Sequence, residues 1–210
     1  MLLRATFRPA ESLAETLIAV TVIGLCTVTA VALLRSGIDQ SAALSRKVIA
    51  ENLAQEGMEA LYNIRDTNYL RHAGDPENCW DSYDTIVGQS CTTHLVAGGT
   101  YALKRQFEDT DVPIFSWDLD LVNSPQDPDR FLNLYDVTVP GMTESMQMYA
   151  QSGVTAGPIV IVTLEDSAFE RVVTIDSKDA NSYTATVSVY YTVGGVSHHV
   201  FAHDTIQNTF

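Results

Sequence analysis

The sequence predicts an α+β fold in which one long N-terminal helix, membrane-spanning in its lower half, packs on a C-terminal antiparallel β-sheet head. Three observations predict it. A long uncharged run lies near the N-terminus, a helical apolar period continues beyond it, and the C-terminal half alternates apolar and polar residues between turn signals. The implied organisation is a helix to about residue 68 with its transmembrane part at about 13–34, and a β-rich head over 69–210.

Between Glu15 and Arg35 no residue is charged, and Thr16 to Leu34 reads TLIAVTVIGLCTVTAVALL. As helix this run is about 28 Å long, close to the thickness of a bilayer's hydrocarbon core. The core helix of a soluble domain normally shows a polar face, whereas here only Thr, Gly and Cys relieve the apolar run, and lipid tolerates all three. Arg4, Arg8 and the terminal amine precede it, which predicts a cytoplasmic N-terminus, although Arg35, Arg46 and Lys47 follow it. A cleaved signal peptide is the competing reading, and Ala30-Val31-Ala32 offers an A-x-A site. Against it, Glu15 stands where such a peptide's apolar region begins, and the pattern after the run remains helical.

That continuation shows at Ile38, Ala42, Ile49, Leu53, Gly57, Ala60, Leu61 and Ile64, mostly three, four or seven apart, with charged and amide side chains between them. No proline occurs between Glu11 and Asp75, and the helix-poor run from Asn63 to Asn68 predicts the end.

In the head, candidate strands are Thr92–Ala97, Tyr101–Phe107, Ile114–Val122, Leu132–Val139, Ile159–Leu164 and Phe169–Ile175. The clearest pattern is last: Tyr183, Ala185, Val187, Val189, Tyr191 and Val193 alternate with Thr184, Thr186, Ser188, Tyr190 and Thr192 up to Gly194-Gly195, a two-residue hairpin signal. The register then sets Val193 against Val196, Tyr191 against His198, Val189 against Val200 and Val187 against Ala202, keeping one apolar face that should lie on the helix. Arg71–Gly88 and the stretch around Pro125–Asp129 read as surface loops, and Gly141–Gly157 as a loop with a short helical turn.

The formal net charge is -14, and from Tyr69 onward 19 Asp and Glu face 6 Lys and Arg. A head this acidic repels phosphate backbones, so no nucleic-acid partner is expected. Cys26 lies inside the apolar run and reads as a small hydrophobe. Cys79 and Cys91 lie in polar sequence at a spacing that suggests a disulfide and an oxidising compartment, worth about 3 kcal/mol by loop closure; two free thiols in a reducing cell is the alternative.

The stretch Pro9-Ala10-Glu11-Ser12-Leu13-Ala14-Glu15-Thr16-Leu17-Ile18-Ala19-Val20 resembles the processing and methylation motif of type IV prepilins and type II secretion pseudopilins. The resemblance covers roughly the first seventy residues and is architectural thereafter. It implies a pilin-like fold, a basic leader over residues 1–10 with the helix over 11–68, cleavage between Ala10 and Glu11 by a prepilin peptidase, methylation of the new N-terminus, and Glu15 as the fifth mature residue. The sequence departs from that pattern at Ala10, usually Gly, and at Glu11, usually an apolar residue. Residues 50–60 and Asn63-Ile64-Arg65-Asp66 also look like prepilin-like proteins of small-genome bacterial lineages. Implied partners are other pilin subunits, an assembly ATPase with its membrane platform, and a lipid bilayer before assembly.

Glu15 admits two readings. Ser12-Leu13-Ala14-Glu15 has the S-x-x-E form of a capping box, with Ser12 as the helix N-cap, and a carboxylate suits the positive end of a helix dipole. In the family resembled, the same carboxylate meets a neighbouring subunit's amine during assembly. A carboxylate bordering a membrane run is costly enough to require a partner.

No nucleophile, phosphate-binding or metalloprotease motif is present, so the expectation is a non-enzymatic protein with no cofactor and no metal. His198 and His199 are adjacent on a strand and face opposite ways, while His199 and His203 lie about 13 Å apart along it, too far to chelate together. Asp109/Asp111, Asp118/Asp120 and Asp127/Asp129 do not form a full calcium loop. The expected function is a structural subunit of a type IV pilus-like or type II secretion pseudopilus filament; the alternative is a membrane-anchored extracellular binding module that does not polymerise.

Overall fold

Sixty residues without an internal proline, rich in Ala, Leu, Glu and Arg, favour unbroken helix, and helix α1 runs Pro9–Arg71. The computed structural model describes residues 9–83, 91–108, 114–124, 126–138, 146–151 and 160–209. The chain forms two units, Met1–Ser45 and Arg46–Phe210.

In the first unit, residues 13–42 of α1 are all exposed. From Leu13 the helix is long and apolar enough to cross a membrane, with a mean hydropathy of 2.6 over its best window. The hydroxyls of Thr16, Thr21, Thr27 and Thr29 donate to carbonyls three or four residues back at 2.8–3.0 Å. These bonds hide each hydroxyl from hydrocarbon.

In the second unit, Ala50, Leu53, Ala54, Met58, Ala60, Leu61 and Ile64 of α1 are buried, while Glu51, Gln55 and Glu59 are exposed. The buried stripe matches the predicted apolar face from Leu53 onward and shifts to Ala50 at its start. The helix continues past Asn68 to Arg71 although this stretch is poor in helix formers. Tertiary contact overrides propensity here: the buried Asn68 amide donates to the carbonyls of Trp80 at 3.2 Å and Ser82 at 2.8 Å.

A short helix, α2 (Pro76–Cys79), follows. Residues 79–82 are buried, so the segment expected to be a surface loop over Arg71–Gly88 is partly core; residues 84–90 lie outside the described residues. The expected strand at Thr92–Ala97 is a single bridge between Ser82 and His94.

The sheet contains β1 (Thr100–Glu108), β2 (Ile114–Leu121), β3 (Phe131–Thr138), β4 (Met146–Gln151), β5 (Val160–Lys178), β6 (Ser182–Val193) and β7 (Val196–Gln207). All pairings are antiparallel. The two strands expected at Ile159–Leu164 and Phe169–Ile175 are one strand, β5, because nothing between them forces a turn. A strand, β4, also stands where a short helical turn was expected inside Gly141–Gly157; residues 141–145 and 152–157 lie outside the described residues.

β5 organises the sheet. One edge pairs with β6; the other pairs with β3 up to Glu170 and with β1 from Val173. The β6–β7 hairpin has the predicted register at all four pairs, closed by Gly194 and Gly195 at φ 58° and 81°. Two successive positive φ values suit glycine, which has no Cβ to clash, and this is why the pair makes the turn. Val187 and Val189, fully buried, join Val200 in packing on the helix face built around Ala50, Leu53, Met58 and Leu61.

Candidate functional site

The N-terminal candidate is a surface with one charge. Leu17, Ile18, Val20, Ile23, Leu25 and Val28 each expose 60% or more of their area, and Cys26 is exposed among them. Glu15 is exposed at the start of this surface, and among the described residues it has no ion pair or hydrogen bond. Ala10, Glu11 and Ser12 lie within α1, but their side chains lie outside the described residues. Helix α1 already includes Pro9, which places Ser12 within it, and the Ser12 side chain that was expected to cap lies outside the described residues.

In the head, polar side chains sit between helix and sheet where the alternating pattern would place apolar ones. Arg171 is fully buried on β5. Its Nη1 lies 3.4 Å from the Leu53 carbonyl and 3.8 Å from the Glu56 carboxylate, and its guanidinium stands 5.6 Å from the Trp117 ring centre. One cation thus ties the helix backbone, a helix carboxylate and β2 together. Gln151 on β4 is also fully buried: its oxygen accepts the Leu103 N–H at 2.7 Å, and its amide donates to the Arg171 carbonyl at 2.8 Å. These are the backbone groups left over where β5 changes partner from β3 to β1.

A second polar centre joins the segment after α2 to the sheet. Asp81, buried, pairs with Lys178, and His94 Nδ1 stands 2.8 Å from its other oxygen. Lys178 also donates to the Leu95 carbonyl at 2.8 Å. Cys79 and Cys91 form the expected disulfide, with Cα atoms 5.5 Å apart, and the neighbouring Trp80 stacks on Tyr183 at 5.3 Å.

The histidines fall as the alternation requires. His198 stacks on Tyr191 on the helix side, whereas His199 lies against Tyr190 on the opposite face. Among the acidic pairs, Asp120 and Asp129 share Lys104, Asp118 accepts the Leu119 N–H, and Asp127 caps the single 3-10 turn of Pro128–Arg130; Asp109 and Asp111 lie outside the described residues. Burial works to lower the Lys104 pKa, but its bonds to Asp120 and Asp129 outweigh this and raise it.

Sequence reasoning missed Asn68, Asp81, Gln151 and Arg171. For Arg171 a signal existed: Phe169, Val173 and Ile175 share its parity, so the alternation already placed an arginine on the buried face. Gln151 had none, because its need arises from a partner switch two strands away. No protein-family model, curated protein or solved structure matches this chain.

Proposed function

We propose that the chain is a structural subunit of a type IV pilus-like or type II secretion pseudopilus filament, assembled through its N-terminal helix. The observation that carries this reading is the division of labour along α1. Residues 50–64 bury one face in the head, while residues 13–42 leave every side chain uncovered. An apolar helix with no cover from its own chain requires a bilayer or other helices.

In this reading a prepilin peptidase cuts between Ala10 and Glu11, and the N-terminus faces the cytoplasm. The head is extracytoplasmic, where the Cys79–Cys91 disulfide is stable. On entry into the filament the helix exchanges lipid for the helices of other subunits, driven by the assembly ATPase and its membrane platform. Glu15, the only charge between Leu13 and Leu34, then meets a neighbouring N-terminal amine and sets axial register. The reading assigns the head no catalytic role.

Intact-mass and N-terminal analysis of the protein from its native membrane tests this. Loss of residues 1–10, with or without a methyl on Glu11, supports the proposal. An intact Met1 would overturn the processed-subunit reading in favour of a non-polymerising anchored module. Cleavage after Ala32 would make the protein a secreted β domain.

A further inference from the structure

Among the described residues the β7 edge of the sheet is unpaired, and we infer that it is a self-recognition surface: β7 of one molecule adds antiparallel to β7 of a second copy, continuing the sheet across a two-fold axis centred on Phe201. The contact lies wholly within the head. Residues 46–65 of α1 run parallel to β7, through Arg46 at Thr192, Tyr62 at Asp204 and Arg65 at Gln207. The pairing therefore sets these helix segments of the two copies antiparallel and joins molecules that are not neighbours of one polarity in a single filament.

The hairpin register determines which backbone groups are free. In a two-residue hairpin the residues flanking the turn exchange hydrogen bonds, and bonded pairs then recur at every second position. Val193 faces Val196 across Gly194-Gly195, and the register continues unbroken to Ser182 and Gln207. The even-numbered residues of β7 therefore bond to β6. Ser197, His199, Phe201, His203 and Thr205 point their N–H and C=O groups away from it. Among the described residues, the only partner any of these edge groups finds is at Thr205, whose N–H is taken by the Asp204 carboxylate at 2.7 Å. That contact is the local satisfaction expected of an amide at an open edge.

Natural edge strands are normally protected by short length, Lys, Pro or a bulge. β7 is 12 residues long, has no bulge in its pairing, and contains no Lys, Arg, Pro or Gly. It also carries large exposed apolar side chains, with Val196 exposed by 59% and Phe201 by 65%. Its one carboxylate, Asp204, is held ionised by the Tyr62 hydroxyl first and the Thr205 N–H second.

What identifies the occupant is the self-complementarity of the sequence VSHHVFAHDTI. Paired antiparallel about Phe201, it sets Val196 against Ile206, Ser197 against Thr205, His198 against Asp204, His199 against His203, Val200 against Ala202, and Phe201 against itself. Apolar meets apolar, although Ile206 is already buried in its own core; hydroxyl meets hydroxyl; and imidazole meets carboxylate at 198/204 and imidazole at 199/203. The bonded pairs of this register are the odd-numbered ones, giving about eight inter-strand hydrogen bonds with the Thr205 N–H of each copy kept by Asp204, and about ten if it is released. Sliding by two residues in one direction sets Val196 against Asp204, and in the other Val200 against Asp204. Sliding by one places each side chain on the wrong face.

The test uses the full chain in detergent micelles diluted to about one chain each, in a Cys26→Ser background. Sedimentation over a concentration series is expected to show a dimer that Phe201→Lys reduces to monomer, because a charge at the self-paired position meets its own copy. Phe201→Pro acts without added charge: it removes an N–H that β6 does not use, and the dimer is lost while the head keeps its circular dichroism spectrum. Leu70→Lys, at an exposed apolar site outside β7, leaves the dimer intact. Spin labels on Ser197→Cys chains and on Thr205→Cys chains broaden each other's spectra only when the two are mixed. Each label faces the other kind across the axis, whereas like labels stand about 26 Å apart along the strands. A monomer at every concentration would overturn the inference. So would a dimer that survives Phe201→Lys and shows no broadening on mixing.

Discussion

Gly57 of α1 faces Val187 of β6 so closely that a Cβ built on the glycine would stand 2.6 Å from Val187 Cγ1. Arg171 Cδ and Leu103 Cδ1 would each lie 3.4 Å from it. The helix can approach the sheet this far only because position 57 has no side chain, and Val187, fully buried in a central strand, cannot move aside. Gly57→Ala is expected to lower stability by about 1–2 kcal/mol, as overpacking outweighs the roughly 1 kcal/mol gained in helix propensity. Thermal unfolding of the head, followed by circular dichroism, measures the sign; a stabilised variant would mean the helix shifts freely on the sheet.

The side-chain amide of Gln151 replaces a stretch of backbone ladder. With Leu in its place, the Leu103 N–H and the Arg171 carbonyl lose the bonds at 2.7 and 2.8 Å while remaining in the interior. Each orphaned group costs about 1–3 kcal/mol, so Gln151→Leu is expected to destabilise the head by about 3 kcal/mol. Hydrogen exchange at the Leu103 amide should accelerate more than at amides of the β6–β7 hairpin. Equal acceleration everywhere would place the role of Gln151 elsewhere.

Tyr62 on α1 donates to Asp204 on β7 at 2.6 Å. This bond is the largest cause lowering the Asp204 pKa and the largest raising that of Tyr62. The depressed carboxylate contributes stability above its unfolded value of about 3.9, and the contribution disappears as pH falls through the folded value. The raised phenol contributes fully below its unfolded value of about 10 and loses its contribution as pH rises through the folded one. Tyr62→Phe should therefore lower the melting temperature at neutral pH, with the difference shrinking in strong acid and in strong base. A difference independent of pH would show that the bond does not couple to folding.

Reduction of Cys79–Cys91 frees a segment that carries Trp80 and Asp81 into the core. The closed loop is worth about 3 kcal/mol in chain entropy. Cys79→Ser with Cys91→Ser is expected to lower the melting temperature and to weaken the near-ultraviolet signal of Trp80 stacked on Tyr183. An unchanged near-ultraviolet spectrum would mean the Asp81–Lys178 contact holds the segment without the disulfide.

Glu15→Ala separates assembly from folding. Glu15 belongs to the first unit and to neither core cluster of the head, so head stability should not change, while filament yield should fall if the carboxylate sets register on entry. Normal filament yield would remove the assembly role from Glu15.

The sequence by itself determined the elements with strong local periodicity. The uncharged run from Thr16 to Leu34 is long and apolar enough, as helix, to cross a membrane. The alternation from Tyr183 to Ala202 about Gly194-Gly195 leaves one register that keeps a single apolar face. Both are local statements, decided by side chains within a few residues of one another. The tertiary structure alone decided that β5 is one strand with two partners on one edge, that Gln151 fills the resulting gap, that Leu53 and Glu56 of α1 are the groups Arg171 meets, and that residues 79–82 are core. Each depends on groups far apart in sequence, because a buried polar group must be satisfied by whatever the fold brings beside it, and no local pattern records that neighbour.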